Sequence, residues 1–136
     1  MALSDESIVF VFLKGSKVLL EERNKHDGSA IWCFPGGGVE DKDAVNTENY
    51  VTCALKREVQ EEMGITIFQP VHLRSEPIGS KEKVFHFFLI RQWKGRIPKR
   101  IIDTRHRLKW IDINEYITSI EAPVFREFAE SIVKLL

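Results

Sequence analysis

The chain has 136 residues, with 20 basic and 20 acidic side chains and no net charge. That length suits a single domain, 1–136, able to bury its own core, and the balanced charge excludes a global field that would recruit nucleic acid or an anionic membrane. Two widely spaced cysteines, Cys33 and Cys53, and an acidic, briefly apolar start without a basic leader predict a cytoplasmic protein with reduced thiols, not a secreted scaffold or a membrane span.

In chain order, SIVFVFL (7–13) and KVLLEER (17–23), joined through Lys14-Gly15-Ser16, predict a β-hairpin. NKHDGSA (24–30) has the composition of a loop. IWCF is a short strand ended by Pro35, and in GGG (36–38) the backbone must turn or approach something closely. Residues 39–49 are polar and read as irregular. Tyr50 to Met63 is helical in pattern, with Gly64 as its stop. ITIFQPVHLRS is an extended run broken by Pro70, KVFHFFLIRQW (83–93) reads as one long strand, and RHRLKWIDI (105–113) reads as another. NEYITSI suggests a short helix. The closing APVFREFAESIVKLL sets Val124, Phe125, Phe128, Ile132 and Leu135 at helical spacing behind Pro123, which predicts an amphipathic helix. Strands dominate, so the expected class is α+β, with helices packed on a mixed sheet.

The segment KREVQEEMGI (56–65) breaks two local rules at once. Glu58, Glu61 and Glu62 crowd the C-terminal end of the helix, where the dipole disfavours negative charge. Advancing about 100° per residue, they converge on one stripe beside the apolar face of Val51, Leu55, Val59 and Met63. Like charges at this spacing repel, and partial burial raises carboxyl pKa values. A hard divalent cation, Mg²⁺ or Mn²⁺, relieves both conflicts. Arg57 can hold one carboxylate bidentately, and FPGGG can bring bare backbone to the same place. Incidental glutamates on a surface helix are the alternative reading.

Arg57-Glu58-Val59-Gln60-Glu61-Glu62-Met63-Gly64-Ile65 resembles the C-terminal half of the Nudix box, R-E-U-x-E-E-x-G-U, at every specified position. WCFPGGGVE is similar to the family's approach to the box, and FHFFLI and LKWIDINEY to its later strands and short helix. The resemblance implies a Nudix-type α/β/α sandwich, with the box helix on one side of a mixed sheet and a C-terminal helix. It implies Mg²⁺- or Mn²⁺-dependent hydrolysis of the pyrophosphate bond in a nucleoside diphosphate linked to another group. On that basis Glu58, Glu61, Glu62 and the Gly36 carbonyl are candidate metal ligands, with Arg57 as their catalytic companion. Glu61 is the first candidate general base, and Glu76 and Glu82 are loop alternatives. The small-nucleotide substrate is left open among nucleoside triphosphates, ADP-ribose or nucleotide sugars, and dinucleoside polyphosphates. A non-catalytic nucleotide-binding module is a second reading, and action on the 5′ end of RNA a third.

One spacing departs from the family pattern. Counting from Gly37, the box's first acid falls on Asp43, and thirteen residues separate it from Arg57 where the family has seven. The insertion AVNTEN (44–49) is expected to bulge before the helix. Glu48 is a substitute acid one residue out of step.

Charge is segregated along the chain. Arg91, Lys94, Arg96, Lys99, Arg100, Arg105, Arg107 and Lys109 face only Asp103 within residues 91–109. Arg96, Arg105 and Arg107 are therefore candidates for substrate phosphates, against the simpler reading of a solvated loop. His86 reads as a packed residue in an aromatic strand. His106 reads as a surface residue or a phosphate contact. Trp32 could stack a base, but at a strand end it reads more naturally as core.

Overall fold

Strand β1 (Glu6–Lys14) is buried along all but its last residue, as a strand covered on both faces must be. The computed structural model describes residues 5–24, 27–44, 49–78, 83–120 and 123–136. β1 runs parallel to β7 (Lys83–Ile90) over seven residue pairs, from Glu6–Val84 to Phe12–Ile90. Alternation sorts their side chains into two cores. Ile8, Phe10, Phe12, Phe88 and Ile90 pack with Leu55, Val59 and Met63 of α1 (Tyr50–Met63). Val9, Val11, Leu13, Phe87 and Leu89 pack with Phe128, Ala129 and Ile132 of α3 (Pro123–Val133). The mixed sheet is thus sandwiched between the two helices, as expected.

The main sheet has the order β3-β2-β1-β7-β6, where β2 is Lys17–Asn24, β3 is Ala30–Cys33 and β6 is Val71–Ile78. β4 (Gly36–Gly38) joins β1, and β9 (Leu108–Asp112) joins β2. The β1–β2 hairpin is paired through Leu13–Val18 and Lys14–Lys17. Beyond that point the strands diverge: β2 takes β3, and β1 takes the glycines, with Ile8 opposite Gly37. The chain crosses this fork at Phe34-Pro35, and the Phe10 N–H donates to the Pro35 carbonyl at 3.0 Å. A Cβ on Gly36 would lie 2.1 Å from the Ile8 carbonyl oxygen, so only glycine permits this approach.

The expected long strand over 83–93 is divided at Arg91. β8 (Gln92–Lys94) leaves the main sheet and pairs with β5 (Thr66–Phe68). Trp93 packs edge-on to Phe12 at 5.3 Å and stacks on Trp110 at 6.1 Å, which anchors the bend. The strand expected from 105 begins at Leu108, after a turn in which Arg105 takes φ +64°. Asp41–Ala44, expected to be irregular, is a 3₁₀ turn, and residues 45–48 of the insertion lie outside the described residues. NEYITSI contains the short helix α2 (Ile113–Ile117). Leu135 falls beyond the end of α3 and is exposed. Among the described residues no helix is long and apolar enough to cross a membrane. Cys33 and Cys53 are free thiols, and burial pushes Cys33 up to about 11.

Candidate active site

Helix α1 starts where Asn49 accepts the Thr52 N–H and ends where Gly64, at φ +67°, donates its N–H to the Gln60 carbonyl. Ala54, Leu55, Val59 and Met63 face the sheet, which fixes the acid stripe at the edge of the buried face. The Glu62 carbonyl, left over by the helix end, accepts the Ile102 N–H at 2.8 Å. The turn 101–107 is thereby pinned to the acidic end of the helix.

Arg57 organises the stripe. Its guanidinium takes Asp43 by two bonds, Nε to Oδ1 at 2.8 Å and Nη2 to Oδ2 at 2.9 Å. Nη2 also donates to the Gly38 carbonyl at 2.8 Å, and Nη1 donates to Glu58 and Glu61 at 3.0 Å each. Glu40 lies 3.0 Å from Nη1. The hydrogen bond to Asp43 is the main reason that the Arg57 pKa rises. Burial alone would raise Asp43, but its bonds to Arg57 and to the Glu40 N–H prevail and hold it below the ordinary carboxylate value.

Glu62 is the anomaly. The residue is 6% exposed, and among the described residues its buried Oε2 has no hydrogen-bond partner. Burial, then the neighbouring Glu58 and Glu21 charges, pushes it up to about 9. Burial also raises Glu58, although Arg57 opposes the shift. A Cβ on Gly37 would sit 2.3 Å from the Glu58 carboxylate, so the glycine strand lies directly against this acid. An orphaned buried oxygen, destabilised carboxylates and bare backbone alongside them form a donor set that fits a hard cation. Among the described residues no three acid, His or Cys side chains are already gathered in metal-holding geometry. Glu58 and Glu61 are instead each hydrogen-bonded to Arg57.

Sequence reasoning missed Glu21. It is 1% exposed on β2 and shares a strand face with Leu19, on the α1 side of the sheet. Its Oε1 accepts Arg23 Nη2 at 2.7 Å, and its Oε2 lies 3.0 Å from His106 Nδ1. The local signal was an acid directly after the apolar run Val18-Leu19-Leu20.

A cavity of about 660 Å³ opens in the fork between β1 and β3, lined by Trp32, Phe34, Tyr116, Phe125, Arg23 and the three glycines, among others. Trp32, expected as core, is half-buried and forms part of this wall, with Arg107 and Lys109 over its ring at 6.0 and 5.8 Å. The glycines are the boundary between this cavity and Glu58.

Among the described residues no hydrogen bond or ion pair joins Arg96, Arg105, Arg107 or Glu76 to the acid stripe. Arg107 is forked on Glu22 at 2.9 and 2.6 Å. Glu22 is adjacent to Glu21, so alternation turns this pair to the opposite face from the acid stripe. Arg105 offers its carbonyl to Arg100, and neither Arg96 nor Arg105 makes an ion pair among the described residues. Glu76 is ion-paired to Arg74, which also meets Glu127 of α3, so it stands on the far side of the sheet from the stripe. Glu48 and Glu82 lie outside the described residues. His86 is buried, as expected, between Ser75 and Glu6 at 2.7 Å each.

The NUDIX domain family matches residues 5–135. The 8-oxo-dGTP diphosphatase of Buchnera aphidicola subsp. Schizaphis graminum is 30% identical over 109 residues, which cover 79% of this chain and 77% of that one. The 8-oxo-dGTP diphosphatase of Proteus vulgaris is 31% identical over 91 residues, covering 64% and 75%. Among solved structures, a MutT from a study of the Aliivibrio salmonicida and Vibrio cholerae proteins superimposes with a TM-score of 0.71 at 20% identity, covering 96% of this chain and 98% of that one. The E. coli dihydroneopterin triphosphate pyrophosphohydrolase gives 0.61 at 21% identity, covering 97% of each. The chain belongs to the NUDIX family. It is a hydrolase of pyrophosphate bonds.

Proposed function

We propose that this protein hydrolyses the pyrophosphate bond of a nucleoside triphosphate or a related small nucleotide, with Mg²⁺ or Mn²⁺ held by Glu58, Glu61, Glu62 and the Gly36 carbonyl. The observation that carries this reading is the buried, unpartnered Glu62 oxygen beside Glu58 and the glycine strand. A cation bound there would neutralise phosphate oxygens and lower the pKa of a coordinated water.

The chain's own residues do the rest. Arg57, anchored by Asp43, orients Glu58 and Glu61 and keeps them from drifting into solvent. Glu61, with a side chain 48% exposed, is the most open acid of the stripe and accepts the proton of the attacking water. Glu76 is engaged with Arg74 and is set aside. The aromatic cavity takes the nucleoside, and the glycines let the phosphates approach Glu58 without side-chain interference. The lean toward nucleoside triphosphates is supported by the relatives that act as 8-oxo-dGTP diphosphatases. A soluble, cytoplasmic protein is the setting that suits such a substrate.

The test is a panel of 8-oxo-dGTP, ordinary nucleoside triphosphates, ADP-ribose and a dinucleoside polyphosphate, incubated with Mg²⁺ and read by mass spectrometry. The expected outcome is cleavage of a triphosphate that disappears with chelator and in Glu62→Gln. Preferred cleavage of ADP-ribose would move the substrate class. No cleavage of any member would favour a non-catalytic binding module.

A further inference from the structure

We propose that His72 and His86 form a second metal site, for Zn²⁺ or Cu²⁺, near the end of α1 opposite the acid stripe. Their rings converge on one hydroxyl: His72 Nε2 and His86 Nδ1 lie 2.8 and 2.7 Å from Ser75 Oγ. A bulge makes this possible. Residues three apart on a strand ordinarily point to opposite faces. The register of β6 on β7 shifts between His72 and Arg74, so His72 stands opposite Phe88 and Ser75 opposite His86. Both share the face of Phe88, on which the His72 ring stacks at 4.7 Å.

The far side of His86 is anchored. Its Nε2 lies 2.7 Å from Glu6 Oε1, which also accepts the Tyr50 hydroxyl at 2.8 Å. Glu6 and His86 are both buried, so the pair is fixed within the sheet. A carboxylate at Nε2 keeps the proton there and leaves the Nδ1 lone pair turned toward Ser75. Proteins orient metal-ligating imidazoles by the same carboxylate–histidine order. The Arg74 backbone hydrogen-bonds the His72 ring as well. Burial, then the neighbouring His86, lowers the His72 pKa, which favours the unprotonated ring that a metal needs.

His72 and Ser75 are exposed, so an ion reaches the two nitrogens from solvent. Zn–N bonds of about 2.0–2.1 Å require the rings to close past the hydroxyl, which the exposed His72 does by rotating its side chain. Ser75 and water fill the remaining positions. Imidazole suits Zn²⁺ and Cu²⁺, whereas carboxylate and carbonyl oxygens suit Mg²⁺, so the two sites select different ions. Tyr50 opens α1, and Glu58 follows roughly two turns later, which keeps the sites apart.

The test is calorimetric titration of ZnCl₂ into the full chain, with Mg²⁺ in large excess to fill the acid stripe, together with the electron paramagnetic resonance spectrum of one equivalent of Cu²⁺. One Zn²⁺ should bind, and the Cu²⁺ spectrum should be split by two imidazole nitrogens. His72→Ala should weaken Zn²⁺ about tenfold or more and leave the splitting of one nitrogen; Glu6→Gln, with its fold checked by circular dichroism, should weaken Zn²⁺ about tenfold. His106→Gln and Glu62→Gln should stay within about twofold of wild type. His72→Ala decides the matter, because an exposed ring is removed without opening the core. No Zn²⁺ binding in excess Mg²⁺, or unchanged affinity in His72→Ala, overturns the site and leaves the hydrolase reading in place. An affinity that falls in Glu62→Gln instead would put the ion in the acid stripe and overturn it as well.

Discussion

Arg57 grips Asp43 with two parallel hydrogen bonds, at 2.8 and 2.9 Å, although 14 positions of sequence separate them. The six-residue insertion therefore leaves Asp43, the acid that the count from Gly37 suggested, paired with the arginine, while Glu48 lies outside the described residues.

Asp43→Asn should lower kcat about tenfold and destabilise the fold by about 1–3 kcal/mol, because a buried bidentate ion pair becomes a single neutral contact. Glu48→Gln should stay within about twofold of wild type. Steady-state kinetics and urea unfolding check both, and a reversed ranking would transfer the role to Glu48.

Glu62→Gln should abolish turnover and yet stabilise the metal-free protein, by about 2 kcal/mol at pH 8, since the amide removes a carboxyl whose ionised form is strongly disfavoured. Thermal melting in chelator measures this. A metal-free variant that melts below wild type would mean that Glu62 is satisfied in a way the geometry does not show.

The same group sets a pH dependence. Folded Glu62 keeps its proton up to about pH 9, whereas the unfolded chain releases it near 4.5. The native state is the better proton binder across that window, so metal-free stability falls as pH rises through it and is fully retained below 4.5. Asp43 acts oppositely: its contribution is present above the ordinary 3.8 and is lost as pH falls through its lowered value. Unfolding free energies in chelator should therefore decline from mildly acidic to alkaline pH. Saturating Mg²⁺ should flatten that slope, because the cation takes the proton's place. Parallel profiles with and without Mg²⁺ would count against Glu62 as a ligand.

Gly37→Ala should cost activity more than stability. The added Cβ meets the mobile end of Glu58 at 2.3 Å, so the carboxylate swings aside while the backbone holds. Gly36→Ala meets the Ile8 carbonyl at 2.1 Å and should unfold the β1–β4 pairing itself. Circular dichroism and kcat on the two variants separate these effects.

The box helix was legible from Tyr50 to Met63 because period, cap and acid stripe are all local. Asp43 was legible by counting, even through an insertion. Glu21 was not, because its burial and its contact with His106 arise from the β2–β9 pairing, which joins residues far apart in sequence. The basic stretch was only partly legible for a related reason. Composition showed eight cations but not that alternation and Glu22 would turn Arg107 away from the stripe. The break at Arg91 was hidden because β-prone residues stand on both sides of it, Leu89-Ile90 before and Trp93 after, and only the packing of Trp93 on Phe12 and Trp110 reveals the change of sheet.

Electron paramagnetic resonance of Mn²⁺ titrated into the protein at pH 7.5 addresses the core of this account without requiring turnover. Wild type should remove free Mn²⁺ from the spectrum at roughly stoichiometric protein, with affinity weakened about 10- to 100-fold in Glu58→Gln and Glu62→Gln and little changed in Arg107→Gln. Equal Mn²⁺ binding by Glu62→Gln and wild type, or none by wild type, would contradict the assignment of the buried acid stripe as a cation site.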